Sequence, residues 1–245
     1  MAAAKNRENI WVSLGVNIVL PTLILMKAQK WLVGWGWIEK EAANPLYFFL
    51  AALSLPLAYG VCDLAKRRKL NLFSAFGILN VLLTGTIGLF ELSREWIIAK
   101  EAGIPALLGL AVLVSALTSR PLAKVLIYND AVLDTKKVGA ALEERGNTQK
   151  FEEALKFSTM LVSLSFFASA AIQFFLACAI YTRGATPEEF NAQVGQMTWI
   201  SYLAVLLPCM VITVFAFVKI ANAIKNLAGM EFEEALAAEL RETRK

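Results

Sequence analysis

Three carboxamide side chains stand deep inside apolar stretches of this sequence: Asn17, Asn80 and Gln173. Such a group is costly in hydrocarbon unless it is hydrogen-bonded, to a neighbouring helix or to a polar solute. Helical spacing supplies each amide with companions. Gly77, Asn80, Thr84 and Gly88 fall on one helix face; Ser165, Ser169, Gln173 and Ala177 repeat every four residues; Ser13, Asn17 and Pro21 do the same. One reading is helix packing, in which small residues allow close approach and Asn, Gln, Ser and Thr bond across the contact. The other is a polar cavity at the bundle centre, lined by Asn17, Asn80, Thr84 and Gln173. All of these groups are neutral, so a proton relay through the core has little support.

The ionisable residues lie at the ends of the apolar stretches. Asp63 precedes Lys66, Arg67, Arg68 and Lys69, and an Asp63–Arg67 ion pair at the membrane surface is expected. Lys100 and Glu101 open the fourth stretch. Lys27, Lys30 and Lys100 are expected to snorkel, with the stem on apolar surface and the ammonium in the interface.

Catalytic groups are sparse. There is no histidine, which excludes Ser–His and Cys–His catalysis, His-ligated haem and most catalytic zinc sites. Cys62, Cys178 and Cys209 are far apart in sequence and read as small buried packing residues, without a metal or redox motif. No Gly-rich phosphate loop, nucleophile motif or metal-ligand cluster is present. Asp63 and Asp130 do not make an intramembrane aspartyl pair, since Asp130 lies well beyond its span and Asp63 at the surface. No catalytic residue, cofactor or metal is assigned, and the net charge of +4 does not argue for nucleic acid.

Helices must position these groups. Hydrophobic residues make up 58% of the 245 and charged residues 18%, against about 45–50% and about 25% in soluble domains. Six runs carry no Asp, Glu, Lys or Arg: Ile10–Met26, Asn44–Cys62, Leu70–Phe90, Ala102–Ser119, Phe157–Thr182 and Phe190–Val218. A helix needs about 20 mostly apolar residues to cross a hydrocarbon core about 30 Å thick. Backbone groups in lipid must pair within their own segment. The expectation is an all-α polytopic membrane protein, a six-transmembrane-helix bundle forming one membrane domain. Its spans lie at about 10–30, 44–62, 70–90, 102–119, 157–182 and 197–218. Pro21, Pro56, Pro105 and Pro208 fall inside spans. Broken helices are a transporter feature, but proline is common in membrane helices, and Pro105 is expected near a helix start, where it is tolerated.

The basic loop after the second span places that loop in the cytoplasm and, counting outward, both termini inside. Only Lys27, Lys30, Lys40, Arg94, Lys100 and Arg183 of the 24 Lys and Arg then lie outside. Trp31, Trp35, Trp37, Trp96 and Trp199 fall at the outer interface and Trp11 at the inner one, where tryptophan is enriched. No small-residue cleavage site follows the first span, which is read as a retained helix. Two cytoplasmic pieces remain. Within 120–156 a short helix is capped by Asp134 or Thr135, carries Val138, Ala141 and Leu142, and stops at Gly146; Thr148 begins another that runs into the fifth span. The tail at 226–245 spaces Phe232, Leu236 and Leu240 every four residues among acidic side chains, which predicts an amphipathic helix packed on protein.

One stretch resembles a known family. Leu57-Ala58-Tyr59, the basic run at 66–69, Leu83-Thr84-Gly85-Thr86-Ile87-Gly88-Leu89-Phe90, Trp96-Ile97-Ile98-Ala99-Lys100, Leu110–Ser115 and Arg120-Pro121-Leu122 are similar to the intracellular septation protein A family of bacterial inner-membrane proteins. The whole chain looks like a longer relative of that family. The resemblance implies a bacterial inner-membrane location and a role in septation or envelope maintenance, and no cofactor or catalytic residue. Two functional expectations stand, the first from this resemblance and the second from the polar faces around Asn17, Asn80 and Gln173. One is a non-enzymatic protein acting through protein partners at the 120–156 loop and the tail. The other is a small transporter or lipid-handling protein with a polar cavity. The bilayer is the partner common to both.

Overall fold

The computed structural model describes the backbone of residues 14–67 and 72–237, and the side chains of 14–62 and 79–237. Among the described residues, once the consecutive turns of the first are joined, nine helices carry labels: α1 (Gly15–Gly34), α2 (Pro45–Arg67), α3 (Leu72–Leu89), α4 (Arg94–Ala116), α5 (Leu122–Leu126), α6 (Thr135–Glu144), α7 (Thr148–Ile180), α8 (Pro187–Ala223) and α9 (Phe232–Ala235); a 3-10 turn, Lys40–Ala42, precedes α2, and a π-helical turn, Ile224–Ala228, continues α8. No strand occurs among those residues; one isolated antiparallel bridge joins Leu133 to Leu236. Five helices, α1, α2, α4, α7 and α8, are long and apolar enough to cross a membrane. Helix α3 is apolar too but shorter over its described side chains, Leu79–Leu89. Their exposed faces suit lipid: on α8, Leu207 and Val211 are 66% and 70% exposed, beside exposed Leu203, Leu206 and Met210.

Helix α1 is irregular. Two π-helical turns, Gly15–Val19 and Ile24–Ala28, flank the α-helical turn that contains Pro21. Proline has no N–H to donate and its ring crowds the carbonyl four residues back, so the helix widens around it. Pro56, Pro105 and Pro208 lie within continuous helices. Pro105 is in the middle of α4, not near its start as expected. The helix begins at Arg94, directly after Ser93, with Glu95 in the first turn where the helix dipole favours an acid.

The described residues form two compact units. The first takes residues up to Glu101 together with Gln173–Ala204. Helices α1 and α3 both pack on α2, and the core gathers Leu25, Phe49, Ala52, Ile97, Ala177 and Met197. Gly88 fits only because it lacks a side chain: a Cβ there would overlap the Phe49 ring and sit 3.0 Å from Phe190.

The second unit takes Ala102–Ile172 and the described residues from Val205. Within the 120–156 segment the short capped helix forms where its sequence predicts, preceded by α5, which the sequence pattern did not predict. Asp134 caps α6, accepting from the Lys137 backbone N–H at 3.0 Å; Val138 and Leu142 turn inward; and Gly146 ends the helix with φ +64°. A long helix starts at Thr148.

The tail does not form the continuous amphipathic helix expected over 226–245. It turns at Gly229, whose φ of +70° ends the preceding helix and whose bare Cα lies under the Arg145 guanidinium. Beyond it, among the described residues, only Phe232–Ala235 is helical. Phe232 meets the Phe217 ring, Ala235 is fully buried, and Leu236 is extended against Leu133. Ala235 and Leu236 thus pair with Asp134 and Leu133 of the 120–156 segment, while Phe232 packs on α8. Residues 238–245, including Leu240, lie outside the described residues.

Candidate functional site

Because α4 starts at Arg94, Lys100 and Glu101 stand well inside the helix rather than at its mouth. Lys100 does not snorkel. It is 8% exposed and faces the Asn80/Thr84 stripe of α3. Its Nζ donates to Asn80 Oδ1 and to Thr84 Oγ1, each at 3.0 Å, and pairs with Glu101 Oε1 at 2.8 Å. The Thr84 hydroxyl donates in turn to the Asn80 carbonyl at 2.9 Å, which turns its lone pairs toward the ammonium. The three ammonium hydrogens therefore have three acceptors. Glu101 accepts a further bond from the Tyr181 hydroxyl at 3.4 Å, and Tyr181 is 2% exposed. An ion pair this deep is tolerated only when both charges are matched by hydrogen bonds.

Tyr181 also lines a cleft of about 520 Å³ belonging wholly to the first unit. Around it lie the N-terminal ends of α2, α4 and α8 and the C-terminal ends of α3 and α7. Buried Phe49, Ile87 and Ile97 form its inner wall, while Glu91, Ser93 and Thr182 stand exposed at its rim. Arg94 lines it too. Its Nε and Nη2 donate to the carbonyls of Tyr181 and Cys178 at 2.5 and 2.6 Å, capping the C-terminal end of α7. Among the described residues no carboxylate lies within ion-pair distance of Arg94. The Asn191 amide donates to the Pro45 carbonyl at 2.8 Å and fixes the start of α2 against α8. Size and lining suit an organic ligand: an apolar wall with a few polar groups that orient it.

The residues singled out from sequence are distributed unevenly. Asn80 and Thr84 meet at Lys100. Gln173 bonds elsewhere, accepting from Ser201 Oγ at 3.3 Å across the α7–α8 contact. Asn17 lies half-buried in the π-helical turn before Pro21. A second cleft of about 450 Å³ runs beside Lys30, Lys40 and Glu188, and none of Asn17, Asn80, Thr84 or Gln173 lines either cleft. The side chains of Asp63 and Arg67 lie outside the described residues. Of the cysteines, Cys178 and Cys209 are half-buried and Cys62 is exposed, against the expectation that all three are buried. Among the described residues no three Cys, Asp or Glu side chains converge as metal ligands. Sequence reasoning passed over Arg94 and Glu91, and it placed Lys100 at the surface. The signal for Lys100 was present as a start of α4 at Ser93, which carries the lysine inward. Compared with known proteins, the chain matches no family model, no curated protein and no solved structure.

Proposed function

We propose that the chain is a bacterial inner-membrane protein of the small-transporter or lipid-handling class. It crosses the membrane six times with both termini inside, catalyses no reaction, and takes its ligand in the cleft beside Tyr181. The observation that carries this reading is the double position of Tyr181. Its hydroxyl donates to Glu101 within the buried charge network, and the same residue lines the cleft. A ligand in the cleft thus acts on a residue wired to an intramembrane ion pair, the kind of group that marks solute pathways in membrane proteins. The helix ends around the cleft belong to loops that the Lys and Arg distribution assigns to the outer side. The alternative, envelope maintenance or septation through a partner at the tail, has less support. Phe232, Ala235 and Leu236 are already engaged in the protein's own packing.

Two measurements test this. Reporter fusions after Lys69 and Lys156 are expected to read cytoplasmic, and after Lys40 and Thr186 external; one inversion breaks the six-span arrangement. Mass spectrometry of the purified protein is expected to find one lipid or metabolite class enriched, and that enrichment gone in Ala185→Trp, which fills the cleft. A stoichiometric protein partner lost on deleting residues 226–245, with no enriched small molecule, replaces this reading by the scaffold one.

A further inference from the structure

Three helices end in the same way, and one of them breaks the usual rule. Helix α1 closes with the Gly36 N–H on the Val33 carbonyl and the Trp37 N–H on that of Leu32; α6 closes with Gly146 on Glu143 and Asn147 on Leu142. Helix α3 repeats the pattern, with Glu91 on Gly88 and Leu92 on Ile87. This double closure needs a left-handed residue at its turn, which is why glycine usually holds it. Gly36 and Gly146 have φ of +71° and +64°; Glu91 holds φ +48° and is the one non-glycine with positive φ among the described residues. A side chain in that region is strained, and such strain clusters at ligand sites. Glu91 lines the cleft, three residues before Arg94, whose guanidinium lines it too and has no carboxylate partner among the described residues.

We infer that the cleft binds a zwitterionic phosphoethanolamine group, as carried by phosphatidylethanolamine. The inference rests on the cleft being a ligand site. The Glu91 carboxylate receives the primary ammonium, and Arg94 offers the phosphate its remaining nitrogen, Nη1, and its charge. The start of an acyl chain lies against Phe49, Ile87 and Ile97. One acid and one base on the same cleft match a headgroup that carries both signs. A purely anionic headgroup would leave Glu91 facing like charge. The cleft opens at helix ends, the depth at which headgroups lie.

The test is binding to the full chain in detergent micelles doped with dioleoyl-phosphatidylethanolamine, -phosphatidylcholine or -phosphatidylglycerol, read by thermal shift and by native mass spectrometry. Phosphatidylethanolamine is expected to bind about tenfold or more tighter than the other two, the worth of one charge-assisted hydrogen bond. Glu91→Gly is the decisive variant, because it relaxes the strained turn. It should unfold at a higher temperature than wild type and yet lose the preference for the ethanolamine headgroup. Retained preference in Glu91→Gly, or equal binding of the three lipids, overturns the headgroup assignment. If phosphatidylglycerol binds best and Ala185→Trp abolishes that binding, the assignment falls while the cleft stands as a ligand site. If Ala185→Trp leaves phosphatidylethanolamine binding intact, the cleft reading falls with it. Soluble O-phosphoethanolamine separates the source: competition with the lipid supports a headgroup site. A soluble ligand that binds where the lipid does not keeps the chemistry and assigns it to a free solute.

Discussion

The two units bury polar groups in opposite ways. In the first, formal charges go inside: Lys100 and Glu101 are matched by Asn80, Thr84 and Tyr181 from other helices. In the second, the buried polar groups among the described residues are hydroxyls, and most of those that bond serve the backbone. Ser163 Oγ donates to the Gly109 carbonyl at 2.9 Å, and Thr159 Oγ1 accepts from the Ala123 N–H at 3.1 Å while donating to the Leu155 carbonyl. Among the described residues of this unit no charge is buried, and the Lys124–Glu152 pair is partly exposed. The difference teaches where each unit is sensitive. The first depends on partners of opposite charge remaining together, and the second on shape. Hydroxyl-to-backbone bonds are modest and local. A buried charge left without its partner is expensive.

The largest expected effect breaks the pair. Lys100→Met leaves the partly buried Glu101 carboxylate, 15% exposed, without its charge partner and should cost about 3 kcal/mol of stability, measured by denaturant unfolding in detergent. Combining it with Glu101→Gln should recover a large part of that loss. A single variant as stable as wild type would mean that the pair is not buried in the folded protein.

Next is Gly88→Ala, which pushes a methyl into the Phe49 ring and should cost about 1–3 kcal/mol. Gly103→Ala, on an α4 position where a Cβ has open space, should not destabilise at all, since alanine is the better helix former. Equal losses at the two sites would remove the close-packing account of Gly88.

A smaller effect of opposite sign sharpens the comparison. Ser158 Oγ is fully buried in the second unit and has no hydrogen-bond partner. Ser158→Ala therefore removes an unsatisfied group and should be neutral or stabilising by about 1 kcal/mol. A clear loss of stability would show that the hydroxyl does have a partner in the folded protein. Last comes Arg183→Ala at the exposed Arg183–Glu95 pair, which should leave the unfolding midpoint unchanged because both groups are solvated.

The fold class was readable without coordinates because it depends on local pattern alone. Charge-free runs of membrane length, the absence of alternation and the need to pair backbone in lipid lead to apolar helices, and five such helices are found. The capped helix over 135–144 was readable for the same reason: Asp134 and Gly146 act within a turn of their own positions. The tail was not. Its four-residue spacing belongs to a helix, but burial against Val138 and Leu142, together with the freedom of Gly229, outweighed helical continuity.

The same division runs through the site. That Asn80 and Thr84 share a face follows from helical periodicity, which is a property of the sequence. That a lysine twenty positions away completes them does not. Lys100 can satisfy its charge in water at the interface or against matched acceptors inside, and a linear pattern does not choose between the two. The choice was made by where α4 starts and which face it turns to α3, and both are decided only when the helices pack. By itself the sequence determined which segments are apolar helices and which of their faces carry hydrogen-bonding groups. Tertiary structure alone decided which charges go inside, because the compensation of a buried charge comes from residues distant in the chain.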